Sequence, residues 1–268
     1  MGMRQRGPAW LCVLGLLMSV PFVAKVAGPV QAQQREITGK DGAPMMLVPR
    51  GEFTMGSNAG LADEQPVHRV TLEAFYMDKY EVTVGQYAKF LEATSSGAPP
   101  DWNMMNQPPH QTRPVVNMDW SDASIYCRWA GKRLPTEAEW EKAARGTDGR
   151  TYPWGNDPLD RLRANYGKDT WDNHAALVPV GTLGNGKSPY GIYDLAGNAW
   201  EWVSDWYDKD YYETSPSQNP KGPERGATKV LRGGSWYANL GYLRATYRFS
   251  LTPSGRDSDF GFRCAKTP

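Results

Sequence analysis

Arg232-Gly233-Gly234-Ser235-Trp236-Tyr237-Ala238-Asn239-Leu240-Gly241-Tyr242-Leu243-Arg244-Ala245-Thr246-Tyr247-Arg248 follows directly on a short apolar run, Lys229-Val230-Leu231. The run reads as a strand. It breaks at two adjacent glycines, where a backbone can approach another backbone or a ligand. Aromatic residues and two arginines come next. Arginine offers planar, multi-donor contacts that suit an anionic or peptide ligand. It serves equally well inside a fold, stacked on rings and paired with carboxylates. Both readings are open for Arg248, while Arg263 reads as structural. Ser235 lacks the following glycine that a nucleophile elbow needs. No histidine lies near it in sequence, so it reads as a serine that bonds the backbone.

Working outward, the chain has 268 residues, a formal net charge of +1, 28 Gly, 21 Pro, 11 Trp and 14 Tyr. This is a loop-rich composition with a core built from aromatics, each of which buries a large area. It does not suit a helical bundle, and there is no basic excess to suggest a nucleic-acid partner. Arg4 and Arg6 precede an apolar run from Ala9 to Val20 that is short for a membrane span, and Ala32 ends a small-residue cleavage site. Residues 1–32 therefore read as a signal peptide. The mature chain is expected to be exported, periplasmic or secreted, with no membrane attachment after cleavage. Residues 33–43 read as a flexible start and 44–268 as one domain.

Local signals fill in that domain. Met45 to Val48 and Phe53 to Met55 read as strands joined at Gly51. The alternation from Val70 to Tyr76 gives another. Thr83 with Gln86, and Thr136 with Glu139, have capping-box spacing and open helices. Ser121 is placed as the cap of a helix carrying Ala123, Tyr126, Cys127 and Ala130 on one face. Trp140, Ala143 and Ala144 form the buried stripe of the helix after Thr136. Residues 95–114 read as a long loop, and Phe260 to Ala265 as a buried strand. After cleavage Cys127 and Cys264 remain. An oxidising compartment favours their pairing, and two buried free thiols are the alternative.

Asp194 with Glu201, and Asn165 with Asp172, bracket turns whose carbonyls could join them around a hard cation such as calcium. Ordinary turn capping explains the same residues. His68, His110 and His174 are too scattered for a zinc pattern.

Several motifs occur in order: Arg50-Gly51-Glu52-Phe53-Thr54-Met55-Gly56, Glu81-Val82-Thr83, Arg113-Pro114-Val115, Gly131-Lys132-Arg133-Leu134-Pro135-Thr136-Glu137-Ala138-Glu139-Trp140-Glu141, Tyr152-Pro153-Trp154-Gly155-Asn156, Gly197-Asn198-Ala199-Trp200-Glu201-Trp202, Arg232-Gly233-Gly234-Ser235-Trp236 and Gly261-Phe262-Arg263. Together they resemble the formylglycine-generating enzyme family, the sulfatase-modifying factor domain. The resemblance implies a single α+β domain with little regular structure, related to C-type lectin-like folds. It implies calcium at Asp194, Gly197, Ala199 and Glu201, a second calcium at Asn165, Tyr166, Asp172 and His174, and a disulfide between Cys127 and Cys264. Family enzymes hold copper(I) through two cysteines, and soft thiolates suit that ion. The matching positions are Ala238 and Leu243, so copper is not expected. The resemblance thus implies a protein that matures or tailors a peptide or protein without copper-dependent formylglycine formation. The alternative is a non-catalytic peptide- or ligand-binding module, or an accessory protein of an exported complex. The expected cleft comprises Trp200, Ser235, Trp236, Tyr237 and Arg248.

Overall fold

Strand β1 (Glu36–Thr38) pairs antiparallel with β2 (Pro44–Val48) in a computed structural model that describes residues 1–4, 7, 34–172 and 174–268. Nearly all of the expected signal segment lies outside the described residues. Residues 34–268 form one unit.

The stretch read as a flexible start is ordered. Beyond β1, the Asp41 carboxylate accepts from Lys132 Nζ at 2.8 Å, and Lys132 also reaches Asp78 at 2.7 Å. Sequence alone gave no partner for Asp41, which is why 33–43 looked free.

β2 also pairs with β5 (Phe75–Asp78), and β5 with β10 (Ala265–Lys266), so the first sheet runs β1-β2-β5-β10. β3 (Gly51–Met55) and β4 (His68–Leu72) form a separate hairpin. The alternation from Val70 to Tyr76 therefore belongs to two strands in two sheets, broken at Glu73 and Ala74. The third sheet has the order β8-β7-β6-β9, from β6 (Trp200–Trp206), β7 (Lys229–Arg232), β8 (Phe249–Leu251) and β9 (Phe260–Gly261). β9 runs parallel to β6, while β10 joins the first sheet. What reads as one terminal strand is thus two short ones that link two sheets.

Helix α1 (Val84–Thr94) starts at the Thr83–Gln86 capping box. The loop at 95–114 carries one α-helical turn, α2 (Trp102–Met105), and a 3-10 turn at Pro108–His110. Helix α3 (Trp120–Trp129) is capped by Asp119, not Ser121. The Asp119 carboxylate accepts from Asp122 N at 2.8 Å, and an ionised acceptor suits the positive end of a helix. Cys127 on α3 forms a disulfide with Cys264, Cα atoms 5.7 Å apart, as expected.

Helix α4 (Glu137–Arg145) has the Thr136–Glu139 capping box and ends at Gly146 in a left-handed turn (φ 68°). All nine of its residues are buried, not only the apolar stripe. Its charges are matched internally. Glu137 receives Arg248 and Arg232, and Glu141 receives Arg232 and Arg145. Lys142 donates to the carbonyls of Pro49 and Gly51. Buried charges survive only when paired and hydrogen-bonded. α5 (Tyr211–Thr214) is one further turn.

Candidate functional site: an aromatic cleft beside a buried carboxylate cluster

Gly233 and Gly234 end β7 with φ of 99° and 76°. A Cβ on Gly234 would lie 2.6 Å from Leu243 Cδ2, so no other residue fits without movement. This turn drops Ser235 into the interior, where its Oγ donates to Asp259 Oδ2 at 2.6 Å. Burial raises the Asp259 carboxyl to about 6 against the stabilising Ser235 hydrogen bond, and the Asp257 charge adds to the rise.

Ser235 and Asp259 lie on the wall of a cavity of about 260 Å³. Trp200, Tyr237, Tyr242, Tyr247, Phe249 and Phe260 supply its aromatic surface. The rings touch in series. Tyr242 lies 4.8 Å from Tyr247, Tyr247 5.9 Å from Trp200, Trp200 5.2 Å from Phe249, and Phe249 6.2 Å from Phe260, between centroids.

Three of the five expected cleft residues, Trp200, Ser235 and Tyr237, line this cavity. Trp236 and Arg248 do not. Trp236 packs on Trp171 at 5.5 Å, and its indole N–H donates to Ser258 O at 3.3 Å. Arg248, the residue just before β8, is buried away from the cavity. It grips Glu137 with two donors (2.8 and 3.0 Å) and lies over Tyr212 at 4.3 Å. The structural reading of Arg248 is the one realised, because Glu137 and the carbonyls of Asp63 and Asp208 take its donors in the interior.

Asp194, Gly197, Ala199 and Glu201 surround the turn into β6. Glu201 is held by Arg263 at 2.7 and 2.6 Å and by the Trp140 indole at 2.8 Å. Asp194 accepts from Gly181 N at 2.7 Å. Glu81 joins them, accepting from Ala199 N and the Asn198 amide. Burial and the neighbouring carboxylates hold Glu81 well above the usual range. Burial raises Asp194 to about 6, opposed by the Gly181 hydrogen bond and Arg263 and assisted by Glu201. Three buried carboxylates thus face one guanidinium. The excess of negative charge and the all-oxygen donor set fit a hard cation. Asp194 and Glu201, with the Gly197 and Ala199 carbonyls, would hold it. Its contribution there would be charge neutralisation at the entry to β6. Among the described residues no three His, Cys, Asp or Glu side chains form a metal cage on their own.

At the second set, Asn165 donates to Ala176 O and Asn198 Oδ1, leaving its own Oδ1 available. The Tyr166 carbonyl accepts from Arg161, and the His174 carbonyl from Arg113 at 2.6 Å. Asp172 and His174 take left-handed backbone (φ 46° and 76°). Two guanidiniums already stand at the carbonyls, so a dication fits this set less well than the first. Burial, with His110 and Arg113 nearby, lowers the His174 imidazole to about 3.

Glu81 is the site residue that sequence reasoning left without a role. It stands in the Glu81-Val82-Thr83 motif, but its partners, Asn198 and Ala199 N, lie over a hundred residues away.

An α+β domain with an aromatic cleft over a Gly-Gly-Ser turn is the class that this geometry defines. Residues 30–268 match the model of the sulfatase-modifying factor enzyme 1-like domain, and the chain belongs to that family. The formylglycine-generating enzyme of Streptomyces coelicolor is 37% identical across 91% of this chain and 94% of its own length. The serine/threonine-protein kinase pkn1 of Chlamydia pneumoniae is 36% identical across 96% of this chain but only 43% of its own. The chain spans less than half the length of the kinase-named relatives it matches. Among solved structures, PvdO from Pseudomonas aeruginosa superposes with a TM-score of 0.73 at 28% identity, covering 88% of this chain and 99% of PvdO.

Proposed function

We propose that this chain is an exported family member that engages a peptide or protein ligand in the aromatic cleft, in its maturation or tailoring, without copper-dependent formylglycine formation. The observation that carries this reading is the composition of the cleft base. A Cβ on Gly234 would lie 2.6 Å from Leu243 and 3.5 Å from Ala238, so the two positions that the family resemblance assigns to copper ligands crowd one turn. Both carry hydrocarbon side chains, which offer copper(I) no donor. The two cysteines of the described residues are bonded to each other. The residues present do not fit copper, and no step is routed through it.

What remains can bind and orient. Trp200 and its neighbouring rings bury apolar surface of a ligand, and the Ser235–Asp259 pair fixes a polar end. A purely non-catalytic binding role is the second reading. It is favoured by the cavity lining, which is aromatic and aliphatic apart from Ser235, Asn239, Asp257 and Asp259. Export is supported by the signal-like segment 1–32. No helix of the described residues is long and apolar enough to cross a membrane. Calcium at the Asp194 set is part of the proposal.

The test is oxygen uptake by the purified mature protein given copper(I) and a thiol peptide, with metal analysis of the same sample. No copper-dependent uptake, with calcium bound, is expected. Stoichiometric copper with turnover would sink the reading.

A further inference from the structure

We infer that the cleft is built for an organic cation, with an alkylated ammonium group seated against the rings of Trp200, Tyr242 and Tyr247 and facing Asp259. This deepens the proposed ligand-binding role and rests on it.

The cavity wall has six aromatic side chains and two carboxylates, Asp257 and Asp259, and its lining includes no lysine, arginine or histidine. Aromatic faces carry negative potential and attract a cation within about 6 Å of the ring centre. Arg244 lies 5.9 Å from the Tyr247 centroid outside the lining, and Glu64 neutralises it with two contacts of 2.6 Å. The field in the cavity is therefore negative and without an internal counterion. The same chain shows what such a wall can hold. Its own Lys229 ammonium sits 3.9 Å from the Trp206 centroid and 4.2 Å from Trp120.

The preference for an alkylated head follows from the wall, where six rings outnumber two carboxylates. One oxygen of each carboxylate already accepts, Asp259 Oδ2 from Ser235 and Asp257 Oδ1 from Ser258, which leaves one uncommitted oxygen on each for the three N–H donors of a primary ammonium. A trimethylammonium head needs no acceptor and sheds its water more readily. The volume of about 260 Å³ suits one such head with a short stem. It is smaller than the usual drug-sized pocket, at roughly 300–1,000 Å³. The head could belong to a free small molecule or to a methylated lysine side chain, which share this chemistry.

Binding of choline, of its uncharged isostere 3,3-dimethylbutanol, and of acetylated peptides carrying trimethyllysine, lysine or norleucine would be followed by tryptophan fluorescence and calorimetry. Choline is expected to bind at least about tenfold more tightly than the isostere, a gap within reach of a desolvated cation–π contact. Asp259→Asn should narrow that gap. Tyr242→Leu should weaken choline about threefold, and since Tyr242 is 41% exposed this variant does not depend on core repacking. A tighter trimethyllysine peptide than choline would assign the head to a protein, and the reverse to a small molecule. Either result supports the cation. Equal affinity for choline and the isostere overturns the inference. So does binding of the norleucine peptide as tightly as the trimethyllysine peptide, which leaves the ligand-binding role standing. Binding of none of these probes overturns both.

Discussion

Arg248 and Glu137 form a two-point ion pair whose side chains are fully withdrawn from solvent, with Arg232 reaching the same carboxylate at 3.3 Å. The pair fastens the segment after the cleft to helix α4. Removing one partner leaves the other buried and uncompensated, which costs about 3–5 kcal/mol. Arg248→Met should lower stability by that order. Any folded fraction should bind cleft ligands as the parent does, because Arg248 is absent from the cavity wall. Urea unfolding alongside a ligand titration checks both parts. An unchanged midpoint would contradict the structural role.

The Cys127–Cys264 bond spans 137 residues of chain. A loop of that length is worth about 4–5 kcal/mol on the chain-entropy model. Cys127→Ser, or reduction of the parent, should shift the denaturation midpoint by a corresponding amount and to the same extent. A reduced parent as stable as the oxidised protein would remove the bond from the account.

Asp205 gives the chain a pH dependence of definite sign. Burial, then the Glu137 charge, raises its carboxyl to about 7, against hydrogen bonds from Glu137 N and Ser204. The unfolded value is near 3.9. The folded state therefore holds the proton more tightly than the unfolded one. This contribution is fully present below about pH 4 and is lost as pH rises through 7. The parent should lose stability between pH 5 and 8, and Asp205→Asn should lose less over the same span. Parallel slopes for the two proteins, measured by urea midpoints, would exclude Asp205 as the cause.

Calcium should stabilise the protein through the Asp194 set. With Glu81, Asp194 and Glu201 facing Arg263 alone, a bound dication offsets the surplus charge. Chelation should lower the melting temperature, and added calcium should restore it. Asp194→Ala should abolish the response, while Asp172→Ala should leave most of it. A melting temperature indifferent to chelator in the parent would retire the first set.

Capping boxes at Thr83 and Thr136 were legible because their signal lies within four residues. The disulfide was legible because only Cys127 and Cys264 follow the expected signal segment. Helix α4 was half legible. Its apolar stripe marked one buried face, but the other face is buried through charge pairs with Arg232, Arg248 and the carbonyls of Pro49 and Gly51, all distant in sequence. Glu81 and Asp41 were missed for the same reason. Trp200, Ser235 and Tyr237 line the cavity. Arg248 does not, and its partner Glu137 lies 111 residues away, so its residue type alone carried no sign of the pairing.

The division of residues 260–266 between two sheets has a consequence for biogenesis. Arg263 closes on Glu201, Cys264 on Cys127, and Ala265 on both Arg133 and Met77. Each of these partners is synthesised well before residues 260–266. A nascent chain stopped short of residue 260 exposes an unclosed sheet edge and an unanswered buried acid, and such species are prone to aggregation. The fold is thus sealed by residues 260–266, and a chaperone that holds the chain until they are available matters more here than one that assists each segment as it emerges.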